Sequence, residues 1–209
     1  LPYRVNFENI GPGSVDSSGN PFPTFATAPA QRVTITDQLQ AELDWDSFEW
    51  SEFGFGDVMI PVSSGVSHFT SKTSMTYNGQ TFDVEIEAGI NFNTGLVTVA
   101  FRSIDPATKL PPDVLTGFLP PEDGTGRGKG HIAYTVRAKS GLPTGTEIRN
   151  VASIRFDSNA IITTDQIDPQ NAAAGTDPDK QTLITLDQTP PTSSVSSLSA
   201  TTLGTGITV

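Results

Sequence analysis

The chain of 209 residues carries 23 acidic against 12 basic side chains, a formal charge of −11, and 35% of its residues are hydrophobic. That surplus of acid makes phosphate backbones and anionic bilayers poor partners, and no apolar run approaches the ~20 residues needed to cross a membrane, so neither nucleic-acid binding nor membrane insertion is expected. The lack of cysteine excludes disulfides, thiolate metal sites and a cysteine nucleophile, while 19 glycines and 16 prolines fit many turns and oppose long helices.

Leu1, Tyr3, Val5 and Phe7 alternate with polar residues, the pattern of a strand with one buried face. No signal peptide precedes them, so the chain reads as a piece of something longer. Residues 9–30 are rich in Gly, Pro, Ser and Thr and read as a long loop. Val33 and Ile35 continue as a strand, and a turn or one short helical turn is expected from Asp37 to Glu42. An aromatic cluster follows at Trp45, Phe48, Trp50, Phe53 and Phe55, and Val58, Ile60 and Val62 alternate again. The clearest element is 81–102. Phe82, Val84, Ile86, Ala88, Ile90 and Phe92 alternate with Asp83, Glu85, Glu87, Gly89 and Asn91, a period of two with the acids on the wet face. Asn93-Thr94-Gly95 supplies the turn of a hairpin, and Val97, Val99 and Phe101 return on its second arm. Residues 105–130 form a second long loop. Ile132, Tyr134 and Val136 make a strand, Ala152, Ile154 and Phe156 another, and Ile161-Ile162 and Leu183, Ile184 and Leu186 weaker ones. No segment has a helical period of 3.6. The expected fold is therefore all-β, a β-sandwich with long Gly/Pro-rich loops.

From Asp187 the composition shifts. Asp187-Gln188-Thr189-Pro190-Pro191 reads as a stiff extended linker. Beyond it Val195, Leu198, Leu203, Ile207 and Val209 are the only large apolar residues in a Ser/Thr-rich stretch. This divides the chain into a sandwich domain, 1–186, and a linker with the first strand of a following domain or a donated strand, 187–209.

Three segments resemble the conserved repeat of bacterial surface proteins known as the DUF11 type. They are Val33-Thr34-Ile35-Thr36-Asp37-Gln38-Leu39, Thr94-Gly95-Leu96-Val97-Thr98-Val99, and Leu142 to Ile154 with its Gly145-Thr146-Glu147-Ile148-Arg149-Asn150-Val151-Ala152-Ser153 core. The tail Asp187 to Val195 is similar to a junction leading into an Ig-like or fibronectin-like domain. The resemblance covers about residues 30–165 and implies an Ig-like sandwich repeated in large surface proteins, with spacer, adhesive or envelope roles. The N-terminal strand and the loops at 9–30 and 105–130 depart from that pattern.

Candidate sites are few. His68 and His131 sit in no recognisable motif, and no G-x-S-x-G elbow is present, so catalysis is not expected. A strongly acidic chain suits divalent cations, and calcium takes several oxygens from carboxylates and loop carbonyls. Asp165, Asp168, Asn171, Asp177 and Asp179 are the first candidate ligand set, and Asp44, Asp46 and Glu49 the second. Trp45, Trp50, Phe53 and Phe55 are the candidate platform on which a sugar would stack. Lys139 with Asn150 is the one pair for an intramolecular isopeptide crosslink, and both read as ordinary strand positions. The leading expectation is a non-catalytic structural or adhesive module of a secreted or cell-surface bacterial protein, its partners being neighbouring domains or other copies of itself. The alternatives are a carbohydrate-binding module of a secreted enzyme, with polysaccharide as partner, or a subunit of an extracellular fibre assembled by strand exchange.

Overall fold

The computed structural model describes residues 1–16 and 18–190. Twelve strands make up the described chain: β1 (Pro2–Glu8), β2 (Arg32–Gln38), β3 (Leu43–Phe55), β4 (Val58–Pro61), β5 (Phe69–Tyr77), β6 (Gln80–Asn91), β7 (Leu96–Ile104), β8 (Lys129–Ala138), β9 (Glu147–Asn150), β10 (Ala152–Phe156), β11 (Ile162–Thr163) and β12 (Thr182–Thr185). Among the described residues the only helical pieces are two single 3₁₀ turns, Ala172–Ala174 and Pro178–Lys180. The all-β expectation holds, and among the described residues no helix is long and apolar enough to cross a membrane.

All strand pairs are antiparallel. One sheet runs β1-β8-β3-β4, a second β11-β10-β2-β7-β6-β5, and β12-β9 form a small third. The two large sheets meet through their apolar faces. Phe101 of β7 touches Phe7 of β1 at 5.5 Å between ring centroids, Phe53 of β3 at 6.3 Å and Phe55 at 6.0 Å. Phe118, from the loop before β8, stacks on its other side at 5.6 Å. Trp50, Phe48 and Tyr134 pack edge to face or tilted at 4.9–5.9 Å. The period-two arithmetic places these rings: alternate residues of a strand share a face, and Phe82, Val84, Ile86, Ile90, Val97, Val99 and Phe101 are all buried as expected.

Strand β3 obeys the same rule with an interruption. Its pairing with β8 shifts register between Asp44 and Glu49 and again between Trp50 and Glu52. The second shift inserts one residue, as a β-bulge does. Phe48 and Trp50 therefore face the same core as Phe53 and Phe55, although the spacing changes parity between Trp50 and Phe53.

Two details of the hairpin differ from the expectation. Phe92 lies past the end of β6, 39% exposed beside His68. Asp83 is on the wet face but only 5% exposed, because Lys72 closes over it at 2.5 Å and the Ser74 hydroxyl donates to it. The segment 63–80 had no strand assigned, yet it holds β5, the free edge of the six-stranded sheet.

Both ends of the described chain lie at one end of the molecule. The Leu1 amino group donates to the Val136 carbonyl, near the close of β8. The loop that follows β8 is tied at Lys139 to the Glu42 carbonyl, and Leu186 pairs with Gly145 and Thr146 in that same loop region. Strand β12 ends at Thr185, and Asp187 and Gln188 follow it without a further strand among the described residues. The tail residues Val195, Leu198, Leu203, Ile207 and Val209 lie outside the described residues.

Replacing Phe101 removes a ring that touches the opposite sheet at three places and the Phe118 loop. Phe101→Ala should lower unfolding free energy by about 3–5 kcal/mol, and Ile86→Asp, which buries an unpaired charge, by a similar amount or more. Phe92→Ser should change it by less than about 0.5 kcal/mol. Chemical denaturation of the three variants checks this ranking; equal effects at 92 and 101 would contradict the packing.

Candidate functional site

The expected sugar platform is not a surface. Trp50, Phe53 and Phe55 are at most 1% exposed, and burial against the second sheet leaves no ring face for a ligand. Trp45 alone is partly exposed. Its indole lies across Gly95 and donates to the Gln40 carbonyl at 3.1 Å, with the Lys139 ammonium 5.8 Å from the ring. Lys139 is thereby engaged with an aromatic face, and the Asn150 amide donates to Asp37 and Tyr134.

The two acidic sets are also separated into local tasks. Asp165 accepts from the Thr163 hydroxyl at 2.7 Å and from the Gln181 amide at 3.0 Å. Asp168 accepts from the Gln170 N–H, Asn171 from the Ala173 N–H and Asp177 from the Asp179 N–H, each a cap on its own short turn. Asp179 is a first-turn residue of the second 3₁₀ piece. Glu49 accepts from the Gly65 N–H and the Thr135 hydroxyl, apart from exposed Asp46 and from Asp44, whose carbonyl takes the Ser47 hydroxyl. Among the described residues no three His, Cys, Asp or Glu side chains gather as metal ligands would. The caps have a simple cause: Asp and Asn bond back to their own backbone two residues on.

The histidines serve different sheets. His68 lies over Gly89 on the outer face of the six-stranded sheet, where a Cβ at 89 would meet its imidazole at 2.7 Å. It borders a shallow open trough of about 860 Å³ floored by Thr34, Gly89, Thr98 and Ala100. His131 is 8% exposed on the outer face of the four-stranded sheet, sits in the space left by Gly54, and bonds Glu52 through Nε2 at 2.6 Å. Glu52 in turn reaches Arg4 at 3.5 Å.

Two buried carboxylates, Asp37 and Glu122, organise the interior instead. Asp37, 1% exposed at the inward parity of Val33 and Ile35, accepts on Oδ2 from the Tyr134 hydroxyl at 2.6 Å and from the Asn150 amide at 2.7 Å. The Tyr3 ring stacks on Tyr134 at 5.3 Å. Three strands, β2, β8 and β9, thus meet at one acid, with β1 stacked behind them through Tyr3. Among the described residues no cation is among its partners, and Asp37 Oδ1, Asn150 Oδ1 and the Tyr3 hydroxyl have no hydrogen-bond partner. Burial pushes the Asp37 carboxyl above its ordinary value of 3.8, against the lowering effect of the Tyr134 and Asn150 bonds. The same burial, with the nearby Asp37 charge, drives the Tyr134 hydroxyl far up, so it stays a donor.

Glu122 solves the same problem differently. It is fully buried, and its carboxylate accepts from the backbone N–H of Gly124 at 2.7 Å, Gly126 at 2.8 Å and Gly128 at 2.9 Å. Burial acts to raise its pKa, but the three backbone donors outweigh that and leave it below the ordinary value. The loop it curls also holds the other long loop: the Glu122 N–H donates to the Asn9 carbonyl, the Asn9 N–H donates to the Gly128 carbonyl, Gly13 donates to the Glu122 carbonyl, and the Asn9 side-chain amide reaches the carbonyls of Ala28 and Leu119. The signals were in the sequence. Asp37 keeps the parity of its strand, and Gly124, Gly126 and Gly128 alternate two residues beyond an acid.

Residues 117–170 match the model of a family described only as a domain of unknown function (DUF7619). The matched segment holds Glu122 and its glycines, Tyr134, Asn150 and the strands from β8 to β11. It also contains the Leu142–Ile154 motif, so the shown similarity is to this family rather than to the surface repeat that the motif resembles. No curated protein and no solved structure matches the chain.

The two carboxylates predict opposite pH slopes. Asp37 has a raised folded pKa, so the folded state holds its proton longer and stability falls as pH climbs from about 3.8 toward the raised value. Glu122 has a lowered one, so its contribution is present above the unfolded value and lost as pH falls through the folded value. Relative to the parent, Asp37→Asn should gain stability as pH rises, and Glu122→Gln should lose most at neutral pH and recover toward acid. Melting temperatures from pH 3 to 8 check both; parallel curves for parent and variants would refute the assignment.

Proposed function

We propose that this chain is a non-catalytic structural module of a secreted or cell-surface protein, an Ig-like sandwich that spaces or presents its neighbours. The observation that carries this reading is the use of its buried polar groups. Asp37 ties three strands and Glu122 ties two long loops, so the costliest groups to bury serve rigidity.

The strand order supports the Ig-like assignment. The order β10-β2-β7-β6 opposite β1-β8-β3-β4 follows the ABED and GFCC′ layout of that sandwich. Here β1 takes the place of the last strand and β10 the place of the first. Buried Trp50 on β3, packed against Tyr134 on β8, corresponds to the core tryptophan of strand C. The secreted setting is supported by the acidic wet faces and the surface-repeat motifs.

The test is single-molecule stretching of tandem copies, run beside a screen of hydrolase and transferase substrates. Each copy should give way as one cooperative unit, and no substrate should turn over. Turnover that vanishes in His131→Ala, with melting temperature kept within a few degrees, would overturn the reading.

A further inference from the structure

Strand β5 is the exposed border of the six-stranded sheet, and the geometry of its hairpin fixes which of its backbone groups face outward. β5 and β6 are joined by the two-residue turn Asn78-Gly79, with φ of 51° and 74°. Positive φ at both positions defines a type I′ turn, and the pair that flanks it, Tyr77 and Gln80, is hydrogen-bonded. Alternation along an antiparallel ladder then turns the N–H and C=O of Tyr77, Met75, Thr73, Ser71 and Phe69 toward β6. Those of Thr70, Lys72, Ser74 and Thr76 point away from it. Among the described residues none of these outward groups has a backbone partner.

The other edges of the large sheets are blunted in ways that oppose pairing. β4 has four residues and ends in Pro61, and β11 has two residues. β1 carries Arg4 and Glu8 on its outer face. β5 has nine residues, no proline, no bulge and one charge, Lys72, which is already neutralised by Asp83 at 2.5 Å.

We propose that β5 pairs with β5 of a second copy of this chain, antiparallel about a two-fold axis through Thr73, so that the two six-stranded sheets become continuous. The sequence of the strand is self-complementary in that register. Phe69 faces Tyr77 of the second copy, Ser71 faces Met75, and Thr70 faces Thr76. Lys72 faces Ser74, so the two lysines do not stand opposite each other, and each keeps its own Asp83. The four outward-pointing residues of each strand become hydrogen-bonded pairs, which is the pattern an antiparallel ladder requires. This inference rests on the edge alone and stands whether or not the module is a spacer. The net charge of −11 on each copy opposes association, so added salt should strengthen the dimer by screening.

Sedimentation equilibrium on the full 209-residue chain tests this, at concentrations up to roughly 1 mM and at low and high salt. A concentration-dependent dimer, tighter at high salt, is expected. Ser74→Pro removes an outward N–H without touching the β5–β6 ladder, and proline is tolerated on such an edge; it should leave a monomer with nearly unchanged melting temperature. Should that variant fail to fold, Ser74→Lys, which only adds edge charge, must give the same monomer. Thr73→Cys should form an interchain disulfide on mild oxidation, because facing residues of a non-hydrogen-bonded pair bring their Cα atoms to about 4.5 Å; Ser158→Cys on a distant exposed turn should not. A monomer at every concentration overturns the proposal, as does a dimer indifferent to both Ser74 variants. Loss of the dimer on deleting residues 191–209 would place the tail on this edge and overturn it equally.

Discussion

The contact of Phe101 with rings from the opposite sheet is the constraint on which the rest of the structure depends. Strands of one sheet can be held by backbone hydrogen bonds, but two sheets are joined only by what their inner faces bury. Phe7, Phe53 and Phe55 reach Phe101 from three places on the four-stranded sheet, and Phe118 brings a loop to the same ring. β1 and β3 are therefore fixed relative to β7 before any loop is considered. The bulge in β3 follows from this demand, since without the extra residue Trp50 and Phe53 would lie on opposite faces.

With the sheets fixed, the long loops face a polar problem. Loops 9–31 and 105–128 cross the end of a hydrophobic core, and their backbone groups must find partners. A carboxylate supplied by the chain itself meets that need at Glu122, whose two oxygens take three N–H groups. At the other end of the core Asp37 performs a related task with side-chain donors. The difference in donors explains the difference in charge behaviour. Three aligned N–H groups in a tight turn compensate a buried anion, whereas a hydroxyl and one amide do not.

Much of this was legible in the sequence, and the failures share a cause. The hairpin of β6 and β7, the strand faces of β1, β2, β8 and β10, and both long loops follow from period two and from glycine and proline. β5 escaped because its inner face carries Ser71 and Thr73 where a central strand would carry apolar residues. An edge strand is only half covered, so its inner positions tolerate hydroxyls and the alternation fades. The aromatic cluster offered a sugar platform because aromatic content does not say which way a ring faces, and the bulge that turns Trp50 and Phe53 to one side cannot be seen in spacing alone. The acidic loop suggested a shared ligand because composition does not reveal direction, and each Asp or Asn turns back to its own backbone. The Asp37 and Glu122 sites were hidden for the converse reason: a single acid in a strand or a glycine-rich loop is common, and only the fold shows it enclosed.

The placement of both chain ends at one end of the sandwich sets how a load would travel through it. Tension between Leu1 and Gln188 would act across the ladders rather than along them. It would first strain the outermost pair of β1 with β8, Pro2 with Thr135, and at the other terminus the pairing of β12 with β9. Hydrogen bonds loaded in this geometry open one after another, so the force at any moment is borne by a single rung. A tethered chain would yield first at its border strands, and once they peel from the aromatic interior the module would open as one unit.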